Sequence, residues 1–365
     1  MTRVPTVYDV ATHAGVSIAT VSRVFRRPES VKDTTRERVL ASVEALGYVP
    51  SGAARGLAAR RTGVIGLFFP GLDALDVAAG AQLDEDAAEA ASIVRDVGGS
   101  ADTRAGDLYF DEVLRGSEVE AWRCGFVLMV GVGRGATAHD TLVDMAGRVD
   151  GLIVLAGSVP DAEIRHLARR LPVVVMAGQR HGDDLDHVSV SNAAGMRTLA
   201  GHLLDDLRVP SIAYVAGSEG SPDDAERWQG FREALADRGL PVPAAPDHRG
   251  EFTRDGGRRV GRAILAGEHL PRAVVCANDQ MALGVIDAAR IGGVDVPGEL
   301  IVTGFDGIDA GRVSTPRLTT VTQPMEEVGR AAVQTLVRRL ADPTRPAASV
   351  RLPVQVVLRE SSEPV

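Results

Sequence analysis

The chain has 365 residues, of which 45% are hydrophobic and 24% charged, with two cysteines and a formal net charge of −9. This composition predicts two to three globular domains and excludes disordered, collagen-like and disulfide-scaffold proteins. Cys124 and Cys276 have no second Cys or His at metal-ligand spacing, so we expect a reducing cytoplasm and no metal site. The apolar stretches are too short to cross a membrane, and the N-terminus lacks the apolar region of a secretion signal.

The charge is divided unevenly along the chain. Residues 1–61 contain ten basic and five acidic residues, a balance of +5, which leaves −14 for the remainder. A basic head on an acidic body predicts that the head binds a polyanion and that the body stays away from it. A solvated helical face is the simpler alternative.

Three helices are predicted in the head. The first covers residues 8–14, Gly15 and Val16 form a turn, Ser17 caps a second helix that ends near Phe25, and a third helix covers residues 34–46. Helix, glycine turn and capped helix together form a helix-turn-helix unit. The residues predicted to pack these helices together are Val10, Ala11, Val16, Val21, Val24, Val39, Val43 and Leu46.

Four segments of the head carry a specific resemblance: Tyr8–Ala11, Ala14–Ser17, Ala19–Val24 and Gly47–Pro50. They resemble the headpiece of the lactose and galactose repressor (LacI/GalR) family of bacterial transcription regulators. The resemblance implies a DNA-binding headpiece over residues 1–50. The residues expected to contact double-stranded operator DNA are Tyr8, Ser17, Ile18, Ala19, Thr20, Ser22, Arg23 and Arg26, the last replacing an Asn that is usual in the family.

Residues 51–62 (SGAARGLAARRT) follow the headpiece. Their small residues and two glycines are typical of a flexible linker, which is one interpretation. The resemblance implies instead a hinge helix that folds on DNA, with Arg55 on a phosphate and Leu57 in the minor groove. Leu57 is the only large apolar residue in the run, which favours the hinge.

From residue 63 onward, short strands rich in β-branched residues alternate with amphipathic helices. Strands are predicted over residues 64–69, 126–130, 151–155, 173–176, 188–190, 212–216, 273–276 and 300–304. Helices are predicted over residues 111–124, 162–171, 193–207, 225–239, 258–266 and 279–291. This alternation predicts an α/β body with doubly wound parallel sheets.

One motif in the body imitates a nucleotide site. Residues 131–136 (GVGRGA) follow a strand and match the G-x-G-x-x-A fingerprint of dinucleotide-binding folds. That fingerprint also needs an acid at the end of the next strand, and residues 151–159 contain none. We therefore interpret the glycines as a tight connection and expect no cofactor.

Six motifs of the body resemble the same family in the same order: Tyr109–Gly116, Asp150–Val154, Arg227–Phe231, Ala277–Gly284, Val302–Gly307 and Pro316–Val321. The implied fold is that of periplasmic sugar-binding proteins, with an effector-binding and dimerisation body over residues 63–365. Its N-lobe would contain residues 63–190 and 323–340, and its C-lobe residues 192–322 and 341–365. Crossovers are expected near Ser191, Gln323 and Leu340.

By motif match, Arg227, Asn278 and Asp306 occupy positions where family members bind their effector, and Phe252 and Tyr109 are candidates for an aromatic floor. A carboxylate and a guanidinium each bind a pair of hydroxyls, which suits a carbohydrate. Other roles remain open. Arg227 could pair with Glu226 or Asp223 on the surface, Asp306 could cap the turn over residues 307–309, and Asn278 could cap the helix that it precedes.

Two features depart from the family. Residues 176–178 (MAG) and 191–192 (SN) replace more charged residues, which predicts fewer charged effector contacts. Residues 72–108 form an acidic insert with nine acidic and two basic residues. The insert is either a surface insertion without a fixed fold or a lid at the mouth of the cleft between the lobes.

The sequence thus predicts a transcriptional repressor that acts as a homodimer in the bacterial cytoplasm, on the nucleoid when bound to DNA. It would bind a pseudo-palindromic operator under the control of a small-molecule effector, with no membrane partner. No catalytic motif is found, so an enzyme is not expected. Two alternatives keep the headpiece: a body that is an enzyme, and a body that is a protein-interaction platform without a metabolite.

Overall fold

The computed structural model describes residues 5–48, 61–71, 108–178, 182 and 184–363. The chain separates by its contacts into two units, Met1–Gly63 and Val64–Val365. Three sequence predictions fall outside the described residues: the hinge residues Arg55 and Leu57, and the acidic insert up to residue 107.

The first unit contains three helices, α1 (Val7–Ala14), α2 (Ile18–Arg26) and α3 (Asp33–Leu46). A capping box begins α1, in which the backbone N–H of Thr6 donates to Asp9 Oδ2 at 2.8 Å. Gly15 ends α1 in the left-handed conformation, with a φ of 62°, which glycine adopts without strain. Ser17 Oγ then accepts from the backbone N–H of Thr20 at 3.2 Å and begins α2, as predicted.

A small apolar core joins the three helices of the headpiece. Its buried side chains are Val10, Ala11, Ala14, Val21, Val24, Val39 and Tyr48. Val16, Val43 and Leu46, which were predicted in this core, pack against it and are only partly buried. Tyr48 closes the core below α3 and was not among the predicted core residues.

The second unit alternates strands and helices, as predicted. Its first half contains β1 (Val64–Pro70), α4 (Leu108–Arg123), β2 (Val127–Gly133), α5 (Ala138–Ala146), β3 (Gly151–Leu155), α6 (Asp161–Leu167), β4 (Val173–Met176), β5 (Asp186–Val190) and α7 (Asn192–Asp205). The second half contains β6 (Ile212–Ala216), α8 (Pro222–Ala236), β7 (His248–Arg249), α9 (Arg254–Leu265), β8 (Ala273–Cys276), α10 (Asp279–Gly292), β9 (Ile301–Asp306), α11 (Asp309–Val313), β10 (Thr319–Thr322), α12 (Met325–Ala341), β11 (Ser349–Leu352) and β12 (Gln355–Val357).

These strands form two six-stranded sheets, one in each lobe. The N-lobe sheet has the order β11-β5-β4-β3-β1-β2 and the C-lobe sheet the order β12-β10-β9-β8-β6-β7. All pairs are parallel except β10 with β12. The predicted doubly wound α/β body is therefore confirmed.

The N-lobe sheet buries a different core on each of its faces. Ile65, Leu67 and Phe69 point into the large core that continues through the C-lobe, whereas Phe68 points into a smaller core. Helices α4 and α12 contribute to the large core, and α5 and α6 to the smaller one. The two faces of this sheet therefore pack against different sets of apolar side chains.

The predicted assignment of residues 341–365 to the C-lobe is wrong in part. Strand β11 pairs with β5 of the N-lobe sheet, and only β12 pairs with β10 of the C-lobe sheet. The third crossover therefore lies at Pro353–Val354, between these strands, and not near Leu340. Strands β7, β10, β11 and β12 were not predicted, because runs of two to four residues carry little periodic signal.

A buried ion pair ties this C-terminal return to the N-lobe. Asp186, 1% exposed at the start of β5, accepts from Arg339 Nε at 2.9 Å and from the backbone N–H of Ala348 at 2.7 Å. Arg339 also donates to the carbonyls of Pro343 and Arg345. One carboxylate thus holds the end of α12 and the connection to β11 against β5.

Replacing Asp186 by Ala should lower the free energy of unfolding by about 3 kcal/mol, because the largely covered Arg339 would lose its carboxylate and the N–H of Ala348 would lose its acceptor. Asp144→Ala is the matched control, since its pair with Arg148 is exposed and should contribute less than about 1 kcal/mol. Urea unfolding of both variants measures the difference. Equal losses in the two variants would contradict a structural role for the Asp186 pair.

Candidate functional site: the recognition helix and the inter-lobe polar cluster

Helix α2 of the headpiece has one buried and one open side. Val21 and Val24 are buried, whereas Ile18, Ala19 and Arg23 are exposed. No hydrogen bond or ion pair joins the side chain of Arg23 to another of the described residues. An open arginine on a capped helix is free to bind a base edge or a phosphate.

The other residues of the headpiece that were predicted to contact DNA differ in their exposure and in their hydrogen bonds. Tyr8 is 66% exposed at the start of α1, and Ser22 is half-buried beside Arg23. Ser17 and Thr20 hydrogen-bond each other through their hydroxyls at 2.9 Å, so both take part in capping α2. Arg26 is the last residue of α2, and its side chain lies outside the described part of the structure.

In the body, Arg227 of α8 is buried at the centre of a polar cluster, 4% exposed. Its Nε donates to Asn192 Oδ1 at 2.9 Å, and its Nη1 donates to the carbonyl of Ala277 at 2.7 Å and to Asp306 Oδ1 at 3.4 Å. The guanidinium also lies 3.9 Å from the ring centroid of Phe305. The alternative of a surface pair with Glu226 or Asp223 is therefore wrong.

Asp306 ends β9 and is buried beside Arg227. Its Oδ1 accepts from Gln323 Nε2 at 2.7 Å, and its backbone has a φ of 124°, which is rare for a residue with a side chain. The cap of the following turn is another residue, Asp279, whose Oδ2 accepts from the N–H groups of Gly307 and Ile308. The alternative role of Asp306 as that cap is therefore wrong.

The carboxyl group of Asp306 is a weaker acid than that of an ordinary aspartate. Burial, together with the nearby carboxylate of Asp223, raises its pKa to about 6, although Arg227 and Gln323 oppose the change. Near neutral pH the group is still mainly ionised, and it accepts hydrogen bonds from Arg227 and Gln323.

Asn278 and Phe252 are linked to each other. Asn278 Oδ1 accepts from the backbone N–H of Met281 at 3.0 Å, so it does cap α10, and its Nδ2 donates to the carbonyl of Phe252 at 3.1 Å. Phe252 is half-buried, and its ring fills the space where any side chain at position 217 would lie, so Gly217 is required there. Asn278 thus holds the backbone of Phe252, whose ring packs on Gly217 just after β6.

Tyr109 brings the N-lobe to the cluster. It lies half-buried at the start of α4, with its ring 5.3 Å from that of Phe110. Burial raises the pKa of the Tyr109 phenol, and the carboxylates of Asp223 and Asp306 raise it further while Arg227 opposes them. The phenol therefore stays protonated among residues of the other lobe.

Three further residues of the cluster were not among the predicted effector ligands: Asp223, Asn192 and Gln323. Asp223 Oδ1 accepts from the backbone N–H of Gly178 in the N-lobe at 3.0 Å and from Asn192 Nδ2 at 2.9 Å. In the sequence analysis, Asp223 appears only as a possible surface partner of Arg227, Asn192 only in the departure at residues 191–192, and Gln323 only as a crossover position.

The G-x-G-x-x-A segment has a packing explanation. A Cβ at Gly131 would overlap the side chain of Met145, and one at Gly133 would lie 2.8 Å from Phe68 and 3.0 Å from Ala138. These glycines let α5 approach β2 closely, as the tight-connection interpretation requires.

Neither a membrane segment nor a metal cluster is found in the described residues. No helix there is both long and apolar enough to cross a bilayer. No group of three or more His, Cys, Asp or Glu side chains in that part is arranged to hold a metal ion.

The raised pKa of Asp306 predicts a pH-dependent stability. Between the ordinary carboxyl value near pH 4 and about pH 6, the folded state keeps a proton that the unfolded chain has lost. The contribution of Asp306 to the free energy of unfolding should therefore fall as the pH rises through this window, by up to about 1.4 kcal/mol per pH unit. Asp279, whose pKa is also raised by burial and by Asp306, changes the stability in the same direction. Urea unfolding at several pH values should show that stability changes with pH differently in the wild type and in Asp306→Asn, with the wild type losing more as the pH rises; identical slopes would exclude Asp306 as the cause.

Comparison with known proteins agrees with both halves of the structure. Residues 6–51 match the family model for "Bacterial regulatory proteins, lacI family", and residues 200–362 match that for a "Periplasmic binding protein-like domain". The HTH-type transcriptional repressor PurR of Erwinia tasmaniensis is 31% identical over 367 residues, which cover 98% of this chain and 96% of that protein.

Two solved structures share the fold. The transcriptional regulator CelR in complex with cellobiose has a TM-score of 0.68 and 27% identity, over 98% of this chain and 99% of CelR. The Lac repressor dimer bound to operator and the anti-inducer ONPF has a TM-score of 0.80 and 24% identity, over 98% and 99% of the two chains. With an exposed recognition helix, a two-lobed body and relatives of this kind over its whole length, the chain belongs to the LacI family of bacterial regulatory proteins.

Proposed function

We propose that this chain represses transcription as a homodimer whose operator affinity is controlled by a small metabolite bound between the lobes. Two features carry the proposal: the exposed face of α2, and the buried polar cluster to which both lobes contribute. We assign it no enzymatic activity. Because its partner is chromosomal DNA, its place is the bacterial cytoplasm, on the nucleoid when bound.

The headpiece supplies the DNA contacts. Its balance of +5 suits the phosphate backbone, and Ile18, Ala19, Ser22 and Arg23 lie on the side of α2 that can enter a major groove. Tyr8 and Arg26 would add contacts at the ends of this surface. A homodimer presents two such helices, which is why the operator is expected to be pseudo-palindromic.

Residues 51–62 would supply the remaining DNA contacts. Arg55 would bind a phosphate, and Leu57 would enter the minor groove beside the Leu57 of the second subunit. An apolar wedge of this kind unstacks a base step and bends the DNA. The headpieces would then be held at a separation that the body can alter.

The inter-lobe cluster would bind a carbohydrate effector. Arg227 and Asp306 offer charged partners for hydroxyl groups, and Phe252 and Tyr109 offer rings for the apolar face of a sugar. CelR, a relative of similar fold, is known in complex with cellobiose. Since the cluster contains groups from both lobes, a ligand there would favour one arrangement of the lobes over another.

Arg23→Ala should lower operator affinity by about 1–3 kcal/mol and relax the preference at one base pair, because a bidentate contact to a guanine edge would be lost. Arg38→Ala is the control, since Arg38 is an exposed arginine of α3. Binding of operator and of random DNA is measured for both variants. An unchanged ratio of the two affinities in Arg23→Ala would refute the assigned docking surface.

Arg227→Ala and Asp306→Ala should each abolish the response of operator binding to the sugar that a panel of mono- and disaccharides identifies as effector. Operator affinity without that sugar should be kept, because both residues belong to the body. Arg232→Ala, an exposed arginine on the same helix, is the control. Loss of operator binding in either variant at native-like stability would show that the residue is structural.

A further inference from the structure

A cavity lies between the lobes, beside the Arg227 cluster. Its volume is about 510 Å³, within the range of small-molecule sites. The N-lobe lines it with the carboxyl ends of β3 and β4 and with α6, and the C-lobe with the first turns of α8 and with Arg249 of β7. Both lobes are needed to form it.

This cavity is separate from the Arg227 cluster. None of the five predicted effector residues lines it. Its N-lobe wall includes Ile164 and Val175, which belong to the smaller core, whereas Tyr109 packs against the large core on the opposite face of the sheet. The hydrogen bond from Gly178 to Asp223 lies between the two sites, because Gly178 lines the cavity and Asp223 belongs to the cluster.

One wall of the cavity is an aromatic surface. The indole of Trp228 stacks on Phe231 with a centroid distance of 5.6 Å and an interplanar angle of 17°, and Tyr214 packs against it at 5.0 Å. These two rings fix the indole from the protein side, and its remaining surface lines the cavity. Ile164, Val175 and Leu185 line the N-lobe side, so apolar side chains from both lobes line the cavity.

The charges around the cavity balance. Asp161 and Arg165 come from α6, and Asp224 and Arg249 from the C-lobe, where Asp224 Oδ2 lies 3.4 Å from Arg249 Nη1. The N-terminus of α8 is no anion site, because Pro222 has no N–H and Asp223 and Asp224 already supply negative charge to the first turn. Carboxylates accept hydrogen bonds and guanidinium groups donate them. The cavity therefore offers a partner to a ligand hydroxyl that donates and to one that accepts.

We propose that this cavity is a second small-molecule site, which binds an uncharged pyranose ring stacked on Trp228. The ring's hydroxyl groups would lie towards Arg165, Arg249 and Asp161. Because both lobes form the site, its ligand would act on lobe closure, and its effect would be coupled to that of the ligand at Arg227.

The test uses the full chain carrying Trp122→Phe. The sequence has two tryptophans and Trp122 is 75% exposed, so the fluorescence of this variant reports on Trp228. The probes are the methyl pyranosides of glucose, galactose and mannose, with glucosamine and glucuronate as charged comparators. Each is titrated to about 10 mM, with calorimetry in parallel. We expect saturable binding of at least one uncharged probe, and weaker binding of both charged comparators.

Three further substitutions in the same background locate the binding. Ala225→Phe adds bulk to the cavity from an exposed position on α8, and Ala236→Phe is its match on the same helix outside the cavity. Ala225→Phe should weaken binding at least about tenfold, and Ala236→Phe should not. Phe252→Ala, which removes a ring of the other cluster, should leave the affinity of the cavity unchanged, and circular dichroism checks that all three variants are folded.

Three outcomes would overturn the proposal. The first is the absence of saturable binding by every uncharged probe in both measurements. The second is binding that Phe252→Ala abolishes and Ala225→Phe retains, which would place the sugar in the Arg227 cluster. The third is binding of the charged comparators alone, which would contradict the balanced charge of the cavity.

Discussion

The buried guanidinium of Arg227 is the interaction on which the arrangement of the body's cleft depends. A cation removed from water is destabilising unless its charge is compensated and its N–H groups are paired. Here the partners come from separate parts of the chain: Asn192 after the first crossover, the carbonyl of Ala277 after β8, and Asp306 at the end of β9. Satisfying one side chain therefore requires these strand ends and the crossover to meet at one point.

Two buried aspartates beside this cation have different tasks. Asp279 binds the N–H groups of Gly307 and Ile308 and the hydroxyl of Thr320, and so holds the turn after β9. Asp306 is thereby free of the turn and directed to Arg227 and Gln323. Its unusual φ of 124° persists because these neighbours determine the position of the backbone on both sides.

The same cluster contains the residues next to two crossovers between the lobes. Asn192 follows the first crossover, and Gln323 lies in the second. Asp223 adds a hydrogen bond from the C-lobe to Gly178 of the N-lobe. Under the proposed function, a ligand bound at this cluster would contact residues next to the crossover segments that join the lobes.

The sequence by itself determined the helix-turn-helix headpiece and the α/β alternation of the body. Capping residues, the turn glycine and helical periodicity are local signals, so α1, α2, α3 and the strands β3, β4, β6 and β8 were predicted with their observed residues or nearly so. Only the tertiary structure decided the pairing of β11 with the N-lobe and the partners of Arg227. It also decided that Asp279, and not Asp306, holds the turn after β9. Each of these depends on contacts between residues more than 25 positions apart in the chain, and no local pattern specifies which of several nearby carboxylates a buried cation will meet.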